Sequence, residues 1–295
     1  MKIYIHPSAL ISDSELMLPK GALYGLKYLQ EAGFDLSFDM ASLSDQQQAL
    51  ILNESIVSGN FDPSEAAGEI KKADSYLFES AGELIESSED WTGLTRSILF
   101  PSRKAEIKRD TKETRISVSI NLDGTGQSKI NTGLNFFDHM LDQIARHGLI
   151  DIELTCKGDL DVDEHHTIED TAIALGQSIR QAISENKAGI QRYGFVLPMD
   201  EAQATVAIDL SDRPYLRWDV DLKREYLGDF PAEMLEHFYY TLAMNVKATL
   251  HVKASGKNEH HIVESIFKGF SKALRFAISR NERIRGILPT TKGTI

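Results

Sequence analysis

The chain has 295 residues, a length typical of two domains, and its 42 % hydrophobic content is ample for a core. Acidic residues outnumber basic ones by 44 to 32, and the formal charge of −12 argues against general nucleic-acid binding. No apolar run approaches the roughly 18 residues of a membrane span, and the first residues lack a signal-peptide pattern. The single cysteine, Cys156, excludes an internal disulfide. We therefore expect an acidic, cytoplasmic protein that acts on a small molecule and binds neither nucleic acid nor membrane.

Residues 1–105 are predicted to form a small α/β domain. Three segments have the apolar pattern of strands, and Gly21–Ala32 has leucines along one side of a helix. The three predicted strands are Lys2–Ile5, Phe34–Phe38 and Ser75–Phe78. The order strand, helix, strand, followed by a later strand that ends in the carboxylates Glu79 and Glu83, indicates a parallel sheet.

An internal duplication organises the rest of the chain. A polar, basic stretch at 101–109 begins with a proline and suits a linker, which predicts a domain boundary near residue 105. The domain 106–295 divides into two repeats, about 106–190 and 191–295. Each repeat has a carboxylate–histidine pair, a strand, a His-His-x-x-Glu segment and a helix. We therefore predict an α/β (α+β) protein whose C-terminal domain is a pseudo-symmetric, duplicated β/α sandwich.

The duplicated segments carry residues suited to binding metal ions. The candidate ligands are six histidines and two glutamates: His139, His165, His166, Glu169, His237, His260, His261 and Glu264. A histidine and the glutamate three or four residues later share a helix face, whereas adjacent histidines point about 100° apart. The adjacent histidines are therefore expected to serve different ions, with three nitrogens and one oxygen per ion once the other repeat completes each set. Mixed nitrogen and oxygen ligation suits Mn, Fe, Co, Ni or Zn, and the absence of thiolates favours Mn or Fe.

Several basic and hydroxyl side chains are candidates for holding an anion such as phosphate. They are Arg192, Arg213, Lys268, Thr290, Thr291 and Lys292. Each of them alone is more typical of a solvated surface, and the sequence does not show whether they converge. His147 lies outside the duplicated set and is a candidate for supporting a metal ligand.

Together these residues resemble the imidazoleglycerol-phosphate dehydratase family of histidine biosynthesis. The resemblance covers residues 106–295 and rests on both His-His-x-x-Glu segments and on Asn121–Gly124, Phe137–Gln143 and the closing Lys292-Gly293. It also includes Glu113 in the run Arg-Asp-Thr-Lys-Glu-Thr. The family implies dehydration of imidazole glycerol phosphate to imidazole acetol phosphate, two Mn²⁺ ions per active site, and a shell of 24 subunits with sites at subunit contacts.

The resemblance also implies roles for individual residues. The eight histidines and glutamates named above match the family's metal ligands, and Glu113 matches its acid/base glutamate. Substrate-binding positions are matched by Gln143, His147, Arg192, Arg213, Lys268, Thr290 and Lys292. The implied chemistry suits these residue types, because metals that hold the imidazole ring would help to expel hydroxide. Glu113 or a metal-bound water would move protons, and basic groups would fix the phosphate.

Residues 1–105 resemble a shortened histidinol-phosphate phosphatase domain of the haloacid-dehalogenase type. That chemistry needs two aspartates after the first strand, where this chain has His6-Pro7-Ser8-Ala9. The cysteines of the family's zinc loop are missing as well. We therefore predict a degenerate domain kept for stability or assembly. Residual phosphatase activity, a binuclear metallohydrolase, and a non-enzymatic metal store or scaffold are the alternatives.

Overall fold

The computed structural model forms two compact units, Met1–Pro101 and Ser102–Ile295, each with its own hydrophobic core. The division lies a few residues before the boundary predicted near residue 105. The structure describes residues 1–12, 17–183, 189–280, 282–284 and 287–292. Within these ranges no helix is long and apolar enough to cross a membrane.

The N-terminal unit is a mixed sheet with helices packed on it. Its elements are β1 (Lys2–Ile5), α1 (Ala22–Glu31), β2 (Asp35–Phe38), α2 (Asp45–Asn53), β3 (Gly68–Lys72), β4 (Tyr76–Ser80), β5 (Glu83–Ser88) and α3 (Trp91–Leu99). The strand order is β2-β1-β3-β4-β5. The buried ring of Trp91 joins α3 to the turn Pro7–Ala9 that follows β1, because its Nε1 donates to the carbonyl of Ala9 at 2.8 Å.

The prediction of a parallel sheet in this unit is wrong for β4. β1 is parallel to β2 and β3, but β4 is antiparallel to both β3 and β5. Only residues 73–75 separate β3 from β4, and a parallel crossover needs a dozen or more residues. Glu79, at the end of β4, forms an ion pair with Lys71 of β3 at 2.7 Å.

The C-terminal unit contains the duplication. The first repeat comprises β6 (Lys104–Asp110), β7 (Thr114–Asn121), β8 (Ser128–Asn131), α4 (Asn135–Gly148), β9 (Asp151–Gly158) and α5 (His165–Ile183). The second comprises β10 (Tyr193–Met199), β11 (Ala202–Asp209), β12 (Tyr215–Asp219), β13 (Tyr226–Leu227), β14 (Phe230–Pro231), α6 (Met234–Val246), β15 (Thr249–Ser255) and α7 (Glu259–Ala277).

The two repeats have the same topology, which confirms the predicted duplicated β/α fold. One sheet has the order β6-β7-β9-β8 and the other β10-β11-β15-β12, so equivalent strands occupy equivalent places. Each sheet has one parallel pair, β8 with β9 and β12 with β15, in the same position. The short ribbon of β13 and β14 occurs in the second repeat before α6.

Helices from the two repeats pack against each other between the sheets. α5 lies on β6 and β7, and α7 lies on β10 and β11, while the pairs α5–α6 and α4–α7 each join one helix from either repeat. One core runs through both repeats, with Phe137 edge-on to Phe238 and Phe238 stacked on Phe267. This packing brings the starts of helices from different repeats together.

The prediction that 101–109 is a linker is wrong from Lys104 onward. Lys104–Asp110 forms β6, an edge strand that pairs with β7 along its whole length. Ala105 is buried in the core and Ile107 packs against it, while Lys104, Glu106 and Lys108 are exposed. Charged outward residues are typical of an edge strand, because they discourage pairing with other chains.

Candidate active site

The two His-His pairs lie in the first turns of α5 and α7. Asp163 Oδ1 accepts from the backbone N–H of His165 at 2.9 Å, and Asn258 Oδ1 accepts from that of His260 at 3.0 Å. These caps fix the backbone where the histidines begin. The rings within each pair diverge, with interplanar angles of 80° and 84° and centroids 6.1 Å apart in both pairs. As the helical geometry predicts, adjacent histidines therefore face different surroundings.

A first ligand group consists of His139 from α4 with His260 and Glu264 from α7. One side-chain ligand atom from each lies within 4.8 Å of the others. His260 Nε2 is 3.3 Å from Glu264 Oε2, one helical turn away. Glu264 is buried, and burial opposes the nearby Lys268 and histidines, which together hold its carboxyl pKa below the ordinary value. The α4–α7 contact therefore assembles two nitrogens and one oxygen.

A second ligand group consists of His165 and Glu169 from α5 with His237 from α6. Glu169 lies between the two rings, with Oε1 at 3.2 Å from His237 Nε2 and Oε2 at 3.6 Å from His165 Nε2. It is the pseudo-symmetric counterpart of the first ligand group, because each combines a helix-start histidine and glutamate with one histidine from the other repeat.

The second ligand group fits a divalent transition metal. The Nε2 atom of His237 is buried, and although Glu169 Oε1 lies 3.2 Å away, Nε2 makes no hydrogen bond of acceptable geometry with any residue that the structure describes. A buried polar atom without a partner is costly, and a metal ion bound between two imidazoles and a carboxylate would satisfy it. The ligand types, nitrogen and oxygen without sulfur, are those of Mn, Fe, Co, Ni or Zn sites.

His166 and His261, the second histidine of each pair, lie outside both ligand groups. His166 Nδ1 is 3.1 Å from Asp159 Oδ2, and His261 Nδ1 is 2.9 Å from Glu201 Oε2. Hydrogen bonding to these carboxylates raises the pKa of both histidines, and the bond from His261 lowers the pKa of Glu201 to about 2. Within one chain each ligand group thus has one nitrogen fewer than the sequence predicts, because the second histidine turns away around the helix.

Glu113 is exposed in the turn between β6 and β7, beside His166. Its Oε1 lies 3.8 Å from His166 Nε2. Thr111 Oγ1 shapes the turn by accepting from the backbone N–H groups of Glu113 at 3.1 Å and Thr114 at 2.9 Å. The turn between β10 and β11 repeats the arrangement, since Asp200 Oδ2 lies 3.8 Å from His261 Nε2. Each second histidine therefore has one carboxylate at Nδ1 and another near Nε2.

Five of the six side chains predicted to hold an anion line one cavity of about 730 Å³. They are Arg192, Arg213, Thr290, Thr291 and Lys292. Arg192 Nε donates to Asp209 Oδ2 at 2.8 Å, and Arg213 Nη2 is 3.6 Å from the same oxygen. None of the described residues that line this cavity belongs to a ligand group. Gly293 of the closing motif lies outside the described residues.

The other predicted substrate-side residues lie on α4 and α7. Lys268 Nζ is 2.8 Å from Glu264 Oε1 in the first ligand group. Gln143 is buried one turn after His139 and donates through Nε2 to the His139 carbonyl at 3.1 Å. Burial, followed by the charge of Lys268, lowers the pKa of His147. The structure thus places these three beside the first ligand group, apart from the cavity of Arg192.

Comparison with known proteins decides the family. Residues 132–274 match the family model described as imidazoleglycerol-phosphate dehydratase. The chain is 52 % identical over 195 residues to an imidazoleglycerol-phosphate dehydratase from Desulfitobacterium hafniense, an alignment that covers 65 % of this chain and 98 % of that protein. The chain belongs to the imidazoleglycerol-phosphate dehydratase family. It is accordingly an enzyme of the dehydratase class, as the sequence predicts.

Solved dehydratase structures have the fold of the C-terminal unit. The chain matches the Staphylococcus aureus dehydratase at 34 % identity with a TM-score of 0.55, covering 60 % of this chain and 99 % of that one. It matches a Pyrococcus furiosus structure, determined in complex with (S)-C348, at 36 % identity and a TM-score of 0.55. That match covers 64 % of this chain and 100 % of the other.

The N-terminal unit is related to longer proteins of the family. A "Histidine biosynthesis bifunctional protein HisB" from Spirosoma linguale is 45 % identical over 270 residues, which cover 90 % of this chain and 70 % of that protein. This alignment exceeds the length of Ser102–Ile295, so it extends into the N-terminal unit. A HisB from Bacteroides fragilis is 50 % identical over 206 residues, and the chain spans 54 % of its length. The resemblance of residues 1–105 to a shortened phosphatase part is therefore supported.

Sequence reasoning missed three carboxylates near the dehydratase ligand groups: Asp159, Asp170 and Glu201. Asp170 follows the ligand Glu169 directly, and it is buried and bonded to Arg109, Thr111 and Thr114. A charged residue on the face of α5 whose other residues are apolar or small and uncharged is a signal that could have found it. Asp159 and Glu201 carry no such signal, because their partners depend on how the strands and helices meet.

Proposed function

We propose that the chain dehydrates imidazole glycerol phosphate to imidazole acetol phosphate and water, using two divalent metal ions per active site. The observation that carries this proposal is the pair of ligand groups, each a histidine, histidine and glutamate built from both repeats, in a member of the dehydratase family. His139, His260 and Glu264 would hold one ion, and His165, Glu169 and His237 the other. Mn²⁺ suits this ligand chemistry. When bound, the two ions would act as Lewis acids toward the substrate's imidazole ring.

Each active site is completed by further copies of the chain. His166 and His261 supply the missing nitrogen, because neither joins a ligand group of its own chain and their Nε2 atoms lie near Glu113 and Asp200 instead. The cavity of Arg192, Arg213, Thr290 and Lys292 supports the same arrangement, since none of the residues described along it is a metal ligand. The proposal includes the 24-subunit shell that the resemblance implies, and a cytoplasmic location.

The protein's own residues bind the phosphate and move protons. Arg192 and Arg213 offer fork-shaped guanidinium groups, and Lys292 and Thr290 add an ammonium and a hydroxyl in the same cavity. Lys268 adds an ammonium group beside the first ligand group, and His147 adds an imidazole on α4. Fixing the phosphate holds the reacting carbons in one place. Glu113, exposed on its turn, takes up or delivers the proton of the carbon next to the ring.

Substitution Glu113→Gln tests this function. Loss of the proton carrier should lower turnover of imidazole glycerol phosphate by about 10²- to 10⁴-fold, while the manganese content per chain is unchanged. Glu106→Gln, an exposed carboxylate on the same β6–β7 hairpin, is the matched control and should keep full activity. Full turnover in Glu113→Gln would remove that residue from the mechanism.

The same assay separates the remaining alternatives. A binuclear metallohydrolase would hydrolyse phosphoesters or amides without requiring an imidazole in the substrate, and a metal store or scaffold would bind manganese without turnover. Either result with wild-type protein would contradict the proposed function.

A further inference from the structure

We infer that Asp159 and Glu201 are positioning residues that hold His166 and His261 with their Nε2 atoms ready to bind a metal ion. The inference rests on the proposed function, because it assigns a role in metal binding to residues that are not themselves ligands. Asp159 presents both carboxylate oxygens to His166 Nδ1, at 3.1 and 3.2 Å. Glu201 presents Oε2 to His261 Nδ1 at 2.9 Å.

These contacts determine which ring nitrogen carries the proton. An ionised carboxylate only accepts hydrogen bonds, so the nitrogen that faces it must be N–H. In the neutral imidazole the other nitrogen, Nε2, then has a free lone pair, which is the form that binds a metal ion. A carboxylate behind a ligating histidine also fixes the ring orientation and increases its basicity. All four side chains are half-buried, which limits competition from water.

The two repeats reach this arrangement from unrelated positions in the chain. Asp159 directly follows β9 and lies seven residues before His166, whereas Glu201 lies in the β10–β11 turn, sixty residues before His261. The duplication of the His-His-x-x-Glu segments therefore does not account for the shared carboxylate at Nδ1. What the two sites share is the geometry at the ring, and a ligand bound at Nε2 explains why both sites need it.

Glu201→Gln gives the sharpest test of the inference. Oε1 of Glu201 accepts from the backbone N–H groups of Asn258 at 2.7 Å and Lys257 at 3.3 Å, before α7 begins. A glutamine can keep these bonds through its own oxygen, which leaves its amide N–H facing His261 Nδ1. The ring must then accept at Nδ1 and carry its proton on Nε2, where the metal should bind. Asp159→Ala removes the equivalent support from His166.

The experiment measures Mn²⁺ binding to the full-length, metal-free protein by calorimetric titration. Glu201→Gln and Asp159→Ala should each raise the Kd of the weakened sites by about 10- to 100-fold, while thermal unfolding of the metal-free protein stays close to wild type. Turnover lost at low Mn²⁺ should return at saturating Mn²⁺. The matched controls are Glu225→Gln and Asp161→Asn, exposed carboxylates whose variants should bind Mn²⁺ like wild type.

The outcomes distinguish this inference from the proposed function. Wild-type protein that binds no Mn²⁺, or binds it without turnover, overturns the proposed function. Wild-type protein that binds and turns over, while both variants bind Mn²⁺ within twofold of their controls, overturns the positioning role alone. Recovery of tight binding in Asp159→Glu would support the role, because that variant restores a carboxylate at His166.

Discussion

At the scale of single residues, neighbouring histidines of the same helix turn differ in what their ring nitrogens face. His165 lies beside Glu169 in the second ligand group, with Nε2 3.6 Å from the carboxylate. His166 has Nδ1 on Asp159 and Nε2 3.8 Å from Glu113. One residue step around the helix thus separates a histidine that meets the other repeat from one whose ring nitrogens face carboxylates of its own repeat.

The ion pair of Glu201 and His261 predicts a pH dependence of folding. The bond lowers the pKa of Glu201 from 4.5 to about 2 and raises that of His261 above 6.5. The glutamate's contribution to stability is present above pH 4.5 and is lost as the pH falls toward 2. The histidine's contribution is present below pH 6.5 and is lost as the pH rises through its folded pKa. Both contributions are complete only between pH 4.5 and pH 6.5.

Denaturant unfolding of the metal-free protein at pH 5.5 and pH 8.5 checks this dependence. Glu201→Gln should be destabilised relative to wild type by more at pH 5.5 than at pH 8.5. An equal difference at the two pH values would show that the pair does not contribute as a charged pair.

The sequence predicts the residue types of the ligand groups. It does not predict what surrounds the second histidine of each His-His pair. His139, His260 and Glu264 could be named as ligand candidates because the duplication and the helical spacing are both visible in the sequence, but which histidines share an ion could not be predicted. The carboxylates behind His166 and His261 could not be predicted. Their approach depends on where β9 ends and where the β10–β11 turn lies, which are properties of the folded sheets.

At the scale of elements, the β6–β7 hairpin is tied to α5 through Asp170. Arg109 donates twice to Asp170 Oδ1, at 2.8 and 3.0 Å, and Thr114 Oγ1 donates to Oδ2 at 2.5 Å. Asp170 follows Glu169, so one buried carboxylate links the turn that carries Glu113 to the helix that carries a metal-ligand candidate. The hairpin and the ligand group are thereby held in a fixed relation.

Asp170→Asn should weaken both the fold and the activity. The amide removes the charge that pairs with Arg109, and its N–H₂ group faces a side chain that donates a hydrogen bond to Asp170 in the wild type. We therefore expect the free energy of unfolding to fall by about 3 kcal/mol. Turnover should fall, while the metal-ion concentration that gives half-maximal activity should change little. Asp110→Asn, an exposed carboxylate next to Arg109 on β6, is the control. A loss below about 0.5 kcal/mol, the usual range for surface changes, would contradict the structural role of Asp170.

Element prediction succeeded where periodicity was strong and failed on short, charged strands. α1 ends near the predicted helix end, and β1 matches its predicted range. β3 was not predicted, because Gly68–Lys72 offers one large apolar residue among polar ones. β6 was assigned to a linker, because Lys104, Glu106 and Lys108 conceal the inward alternation of Ala105 and Ile107.

At the scale of the whole molecule, the chain consists of two units, of which the C-terminal one is internally duplicated. The C-terminal unit has a core shared by both repeats, and the N-terminal unit has a separate core around Trp91. The duplication could be predicted because the same residue types return, in the same order, at nearly constant offsets along the chain. The mixed sheet of the N-terminal unit could not be predicted, because the three-residue β3–β4 connection has no distinctive composition.

A chain restricted to Ser102–Ile295 should keep the dehydratase activity. It retains the whole core of the C-terminal unit and Arg103, whose guanidinium pairs with Asp123 at 2.7 Å. A dehydratase aligned over 98 % of its length covers only 65 % of this chain, so relatives of that size exist. We expect two-state unfolding and turnover within a few-fold of the full chain. A truncated protein that is folded and loaded with metal but inactive would show that residues 1–101 contribute to catalysis.

The N-terminal unit should have no phosphatase activity of its own. His6 follows β1 and its Nδ1 contacts Ser8 Oγ at 2.8 Å, so the place of a nucleophilic aspartate holds a small polar turn. We expect no phosphate release from histidinol phosphate by the full-length protein with Mg²⁺ or Mn²⁺. Phosphate release at an enzymatic rate would contradict the assignment of a degenerate domain. If His6→Ala and Ser8→Ala did not alter that rate, the nucleophile would lie elsewhere in the chain.

The most direct test of the central claim is turnover of imidazole glycerol phosphate by the full-length protein after chelation and after Mn²⁺ is restored. Chelation should abolish formation of imidazole acetol phosphate, and Mn²⁺ should restore it at two ions per active site, because the proposed dehydration uses one ion at each ligand group. Turnover that persists in the metal-free protein, or Mn²⁺ binding that restores no turnover, would contradict the account.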